Sequence, residues 1–248
     1  MIDTRPWRHL TLVAPVAGGH RNEVWEGGIG ATRVAVRRSR RSGGSLAWEL
    51  DLIEHLAAEG FRVPVVVPTD DGRRSAGDVV VQRWLDGPPP ASPADWHRVG
   101  RELQRLHDAT RGYRQRPGCC TVGELSDVRR SVDADLDAVP FDVEKRVTAV
   151  FAAVADAPVA VVHGDTHAGN LRMADDGAVG LLDWDESRLD VTWHDLSSLP
   201  GVDLLPVEAR ERAERLSHAW EAVNAWTTEP HYARRRLAHL DGGGRGRP

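Results

Sequence analysis

The stretch Val159-Ala-Val-Val-His163-Gly-Asp165-Thr-His167-Ala-Gly-Asn170-Leu-Arg-Met-Ala-Asp-Asp-Gly177-Ala-Val-Gly-Leu-Leu-Asp183 decides how this chain is read. Val159 to Val162 form an apolar run of strand type, and a dense polar cluster follows at once. Leu171 to Met173 and Val179 to Leu182 flank a turn at Ala174 to Gly177, which predicts a hairpin opened by Asn170 and ended by Asp183. A hairpin returns its second strand beside the start of its first, so Asn170 and Asp183 are expected side by side although thirteen positions separate them. One amide oxygen and one carboxylate converging on a point suit Mg2+, a hard cation. Asp165, five residues before Asn170, is placed to face the same ion and the γ-phosphate of a nucleotide. Phosphoryl transfer needs charge neutralisation and a carboxylate that orients the attacking hydroxyl and accepts its proton. Asp165 is therefore expected as the base, with Asn170 and Asp183 as the metal ligands.

The pattern His163-x-Asp165-x-x-x-x-Asn170, followed by an Asp at the end of a hairpin, resembles the catalytic loop of the kinase fold. His163-Gly164-Asp165 with Leu182-Asp183-Trp184 is similar to the aminoglycoside phosphotransferase family, whereas protein kinases usually have Arg after the His and Phe-Gly after the metal Asp. The resemblance implies a bilobal, protein-kinase-like α+β fold, with a small β-rich N-lobe and a larger, mainly helical C-lobe. It extends backward through most of the chain. Val34-Ala-Val-Arg37 resembles the strand that carries the phosphate-pairing lysine, with Arg37 in the lysine's place and Glu49 where the family's partner glutamate lies. Gly18 and Gly19, in Gly18-Gly-His-Arg-Asn22, resemble the loop over the phosphates, and Gln82 to Trp84 the hinge whose backbone receives adenine. Asp195-Leu196 matches the family's Asp-Leu, a structural pair. What the family implies is an enzyme that moves the γ-phosphoryl group of ATP or GTP to a hydroxyl of a small molecule, with an aminoglycoside or other antibiotic, and hence antibiotic resistance, among the possibilities.

Composition narrows the alternatives. Of 32 Lys and Arg residues only Lys145 is lysine, and no glycine lies near it, which excludes a Walker P-loop and leaves Schiff-base chemistry without a suitable amine. A formal charge of -5 lacks the basic excess that binding to a nucleic-acid backbone requires. No run reaches the roughly 18 to 20 apolar residues of a membrane span. Arg5-Pro-Trp-Arg8 before Leu10 to Ala17 has the outline of a signal peptide, but Pro15 breaks its apolar part, and the adjacent Cys119 and Cys120 suit a reducing compartment. A cytoplasmic protein without nucleic-acid or membrane partners is expected. His163 and His167 have zinc-like spacing, yet Gly164 and Gly169 disfavour the helix that would align them, so His163 is expected to brace the loop and His167 to be exposed.

Short β-type runs at Val13 to Ala17, Glu23 to Glu26 and Arg33 to Arg37 precede a helix with Leu46, Leu50, Ile53 and Leu56 at helical spacing. Val65 to Val67 and Asp78 to Leu85 are read as extended, and Gly87-Pro-Pro-Pro90 as the change of lobe. This gives residues 1–86 as the nucleotide-binding lobe, 87–240 as the lobe of catalysis and acceptor binding, and 241–248 as a disordered tail. Ser92 or Asp95 is expected to cap the next helix, and 121–137 and 142–155 are read as further amphipathic helices. Asp185, Glu186 and Asp190 are read as a solvated, charge-rich loop, and Trp184 as core. Residues 120–144 hold seven acids against Arg129 and Arg130, a field suited to a cationic acceptor or simply a wet helix face. Two rivals stay open: a kinase of the same fold acting on a metabolite alcohol or a peptide Ser/Thr hydroxyl, and a nucleotide-binding pseudokinase, which Arg37 and the incomplete glycine loop support.

Overall fold

The computed structural model describes residues 2–16, 23–41 and 43–240. In chain order the strands are β1 (Leu10–Pro15), β2 (Glu23–Ile29), β3 (Thr32–Arg38), β4 (Val79–Arg83), β5 (Arg130–Ser131), β6 (Ala134–Asp135), β7 (Val159–Val162), β8 (Leu171–Met173), β9 (Val179–Leu181) and β10 (Arg188–Val191). The helices are α1 (Gly43–Ala58), α2 (Pro93–Ala109), α3 (Val122–Val128), α4 (Phe141–Ala152), α5 (Trp193–Ser197), α6 (Val207–Asn224) and α7 (Pro230–Ala238). The described residues form two compact units: those up to Pro90 together with Ala168–Asp185, and Ala91–His167 together with those from Glu186 onward. The hairpin bearing Asn170 and Asp183 thus groups with the first ninety positions. Gly18, Gly19 and the tail 241–248 lie outside the described residues.

The first unit is built on an antiparallel sheet in the order β1-β2-β3-β4. Side chains alternate across a strand, so β3 and β4 present two different faces. On one face Val34, Val36, Val79 and Val81 pack with Ile2 and Trp7. On the other, Val80 packs against Leu46 and Leu50 of α1. Arg37 pairs directly with Val80 across the ladder, so it shares the α1 face. Each large apolar side chain fully buried here contributes roughly 1.5–3 kcal/mol. Val65 to Val67 is extended as expected, with Val67 N–H bonded to Val81 O at 2.8 Å and Arg83 N–H to Val65 O at 2.8 Å, although it forms no named strand.

The hairpin β8–β9 pairs Leu171 with Leu181 and Met173 with Val179, and Gly177, at φ 83°, supplies its left-handed turn residue. Two backbone bonds fix it in the unit: Leu181 N–H to Arg62 O at 3.0 Å and Met173 N–H to Pro88 O at 2.8 Å. Gly87 allows the second approach. A Cβ there would lie 2.2 Å from Met173 O, and its φ of 119° already disfavours other residues.

In the second unit, α2 opens with a reciprocal box in which Ser92 caps the Asp95 N–H and Asp95 accepts from the Ser92 N–H. Its stripe Val99, Leu103 and Leu106 is fully buried. A second box, Thr121 with Glu124, starts α3. The helix expected over 121–137 ends at Val128, because Arg129 takes a left-handed φ of 64° and closes the turn with its N–H on Leu125 O. The short ribbon β5–β6 follows, then a 3-10 turn, Leu136–Ala138. β7 pairs antiparallel with β10, setting Val162 opposite Arg188. Among the described residues, no helix is long and apolar enough to cross a membrane.

Candidate active site

Glu49 lies within the apolar stripe of α1, between Leu46 and Ile53, and is 1% exposed. A carboxylate sealed on such a face requires a partner, and β3 provides one. Arg37 donates through Nη2 to Glu49 Oε1 and through Nη1 to Asp185 Oδ1 at 3.2 Å. Burial alone would pull the Arg37 pKa down, but the charges of Glu49, Asp185 and Asp183 leave it raised. The cation is firmly protonated. Asp185, expected in a solvated loop, is instead buried against Arg37, and its backbone carbonyl accepts from Arg41 Nη2 at 3.0 Å. The sequence concealed this because 148 positions separate the two partners.

Asn170 ends a 3-10 turn, Ala168–Asn170, and is 8% exposed. Its carbonyl accepts the Leu182 N–H at 2.8 Å, which continues the hairpin pairing and sets Asp183 one residue beyond that bond. Asp183 holds a left-handed φ of 56°, a strained conformation for a residue with a Cβ. Trp184 is core, as expected, at 1% exposure. Among the described residues no group of three His, Cys, Asp or Glu side chains is arranged around a metal site. One carboxylate and one amide oxygen nonetheless match the sparse protein ligation typical of Mg2+, which keeps waters and substrate phosphates as its other ligands. The donor set fits that ion.

Asp165 belongs to the second unit. It follows Gly164, whose φ of 84° and close approach to Glu186 O, 2.7 Å from where a Cβ would stand, demand glycine. Two consecutive backbone N–H groups of this loop are held by Asp195: His163 N–H on Oδ2 at 2.8 Å and Gly164 N–H on Oδ1 at 2.9 Å. His107 of α2 shares Oδ2 at 2.9 Å through Nε2. Burial would raise the Asp195 pKa, but the His107 bond, the charges of His107 and His163 and the Gly164 N–H hold it below the usual value. His163 braces the loop as expected, its Nδ1 accepting the Asp165 N–H at 3.3 Å. The Asp165 side chain is 40% exposed, and His167 Nε2 stands 3.6 Å from Asp165 Oδ2.

Gln82 is buried inside β4, paired with Ala35 on one side and bridged to Val66 on the other. Trp84 is the first residue past the strand. Its N–H bonds Arg33 O at 3.1 Å, and the Arg33 guanidinium lies 4.0 Å from its ring centroid. Asp190, also expected to be solvated, has no exposed surface and pairs with Arg188 at 2.8 Å. Burial alone would raise its pKa, yet Arg188 and His194 lower it to about 2. An Arg-x-Asp step on a strand puts both side chains on one face, which is the local signal that could have found this pair. In the acidic segment, Arg129 binds Asp137 and Glu144 while Arg130 binds Asp135 and Asp137.

A sheet with a buried basic–acidic pair, a hairpin ending in aspartate and a buttressed His-Gly-Asp loop define a protein-kinase-like fold. Solved structures agree: the choline kinase LicA from Streptococcus pneumoniae superposes with a TM-score of 0.65 at 13% identity, covering 95% of this chain and 93% of that one. The amicoumacin kinase hAmiN gives 0.59 at 19% identity, covering 94% and 80%. The chain belongs to the phosphotransferase enzyme family, whose model matches residues 13–237. Among curated proteins, the homoserine kinase of Methylobacterium sp. (strain 4-46) is 27% identical over 181 residues, 68% of this chain and 56% of that protein. The chain spans about half the length of the curated relatives it matches.

Proposed function

We propose that this chain is a small-molecule kinase that moves the γ-phosphoryl group of ATP, with GTP as the alternative donor, to the hydroxyl of a compact amino alcohol. The observation that carries the reading is the Arg37–Glu49 pair, buried on the α1 face of the sheet with Asp183 acting on the same guanidinium. An arginine sealed against a helix glutamate keeps the charge of the family's lysine, which favours an active phosphate site over a pseudokinase. Likeness to homoserine kinase supports an amino alcohol as acceptor. The ion pairs that Arg129 and Arg130 make inside the acidic segment reduce the field available to a polycationic aminoglycoside.

In this reading Arg37, oriented by Glu49, binds the phosphates. Asn170 and Asp183 would hold Mg2+, which when bound neutralises charge developing on the transferred group. Asp165 orients the attacking hydroxyl and takes its proton on a carboxylate oxygen. Asp195, itself bonded by His107, holds the His163-Gly164 backbone, and so the residue that follows it, without touching substrate. The segment beginning at Trp84 supplies backbone groups to the base of the nucleotide.

The test is a mass-shift and phosphate-release screen with ATP and GTP across homoserine, other amino alcohols, choline and aminoglycosides, run beside Asp165→Ala. Transfer should fall by about three orders of magnitude or more in the variant, with ATP affinity retained. Undiminished turnover in Asp165→Ala overturns the assignment, and nucleotide binding without transfer to any alcohol favours the pseudokinase.

A further inference from the structure

Arg37 is held by two carboxylates where one would suffice to orient it. Each arm of the guanidinium carries one, Nη2 with Glu49 and Nη1 with Asp185, and the side chains of Arg37, Glu49 and Asp185 are 7%, 1% and 6% exposed. Asp183 adds a third negative charge to the field at the same cation. A nucleotide polyphosphate, itself an anion, meets a cation whose two terminal nitrogens already hold acids, while its Nε is buried without a hydrogen-bond partner among the described residues.

The two direct contacts are not equivalent. Glu49 is fixed by a 16-residue helix, inside its buried stripe. Asp185 lies outside the strands and helices, two residues past Asp183, and meets Nη1 at 3.2 Å. Its main chain is nevertheless tethered, since its carbonyl accepts from Arg41 Nη2 at 3.0 Å.

We propose that Asp185 is a placeholder for phosphate: in the nucleotide-free protein its carboxylate occupies Nη1 of Arg37, and it yields that arm when a phosphate oxygen arrives. Glu49 keeps the other arm throughout, so the cation stays oriented while its second partner is exchanged. Asp185 is therefore a positioning residue that sets nucleotide affinity without contacting the reacting atoms. A planar fork makes this possible, because it offers separate donors to two anions, whereas an ammonium is a single point of charge on a shorter stem. The arginine at 37 and the acid at 185 act as one unit. This inference rests on the reading of Arg37 as the phosphate-binding cation.

The experiment is calorimetric titration of ATP with Mg2+ into the wild type, Asp185→Asn, Asp185→Glu, Arg37→Lys and the double variant Arg37→Lys/Asp185→Asn. Thermal melts establish that each is folded, and Asp185→Ser replaces Asp185→Asn if the latter is not. A competitor that must be displaced lowers apparent affinity by the fraction of protein it occupies, so removing its charge should tighten ATP binding by about three- to tenfold. KM for ATP should fall with it while kcat does not rise. Asp185→Glu should restore the wild-type value, and in the Arg37→Lys background the Asp185→Asn effect should vanish. Weaker or unchanged ATP binding in Asp185→Asn, or equal tightening in the lysine background, overturns the placeholder alone. A wild type that binds no ATP overturns the functional reading and the placeholder with it.

Discussion

The Asp195 buttress permits a sharp test, Asp195→Asn, which preserves shape and removes charge. The carboxylate accepts on both oxygens, from His163 N–H and His107 Nε2 on one and from Gly164 N–H on the other. A carboxamide has a single oxygen, so in either orientation a backbone N–H of the loop is left facing an NH2 group. Turned to keep the His163 and His107 bonds, the variant loses the Gly164 bond outright and weakens the other two by removing their charge. A hydrogen bond to a charged group is worth roughly 1.5–3 kcal/mol, and an unsatisfied buried donor adds its own cost, so the expected loss is about 3 kcal/mol. For a chain of this size that corresponds to a fall in Tm of about 6–12 °C. Urea unfolding of both proteins, followed by circular dichroism, measures the difference. Asp165 follows two positions after His163, so kcat should also drop, and more than KM for ATP changes. A loss below about 1 kcal/mol with kcat intact would refute the idea that Asp195 holds the loop.

Gly87→Ala should destabilise by about 3 kcal/mol or more, because the added Cβ meets Met173 O at 2.2 Å on a backbone at φ 119°, and denaturant midpoints report it. Gly72→Ala has open space at a similar positive φ of 83° and should cost only the backbone strain, about 1 kcal/mol. Asp190, lowered to about 2 in the folded protein from an ordinary value of 3.8, contributes about 2 kcal/mol that is fully present above pH 4 and is lost as the pH falls toward 2. Asp190→Asn should therefore flatten the acid limb of a stability–pH curve within that window, and an unchanged limb would count against the assignment.

What could be read from the chain was what local pattern determines. The Val159–Val162 strand, the hairpin across Ala174 to Gly177 and the capped start of α2 each depend on residues within a few positions of one another. The length of α3 escaped because its end rests on one backbone angle at Arg129, a residue type that does not announce a left-handed conformation. The burial of Asp185 escaped for a different reason. Its partner is fixed by the packing of a distant strand, and a charge in a polar loop looks the same in sequence whether it is solvated or sealed. Glu49 was more legible than it first seemed, since an acid in the apolar stripe of a helix needs a cation from elsewhere in the fold.

The first unit is discontinuous along the chain, and this orders its assembly on the ribosome. Strands β1 to β4 and helix α1 can pair as soon as the first ninety residues emerge. Arg62 O and Pro88 O then lack the hairpin donors, Leu181 and Met173, until the 77 intervening residues and the hairpin itself have been made. At about 5–20 residues per second the wait lasts several seconds or longer. The sheet therefore emerges without the hairpin that Asn170 and Asp183 flank, and Arg37 is in place before Asp185, the acid on its Nη1, has been translated.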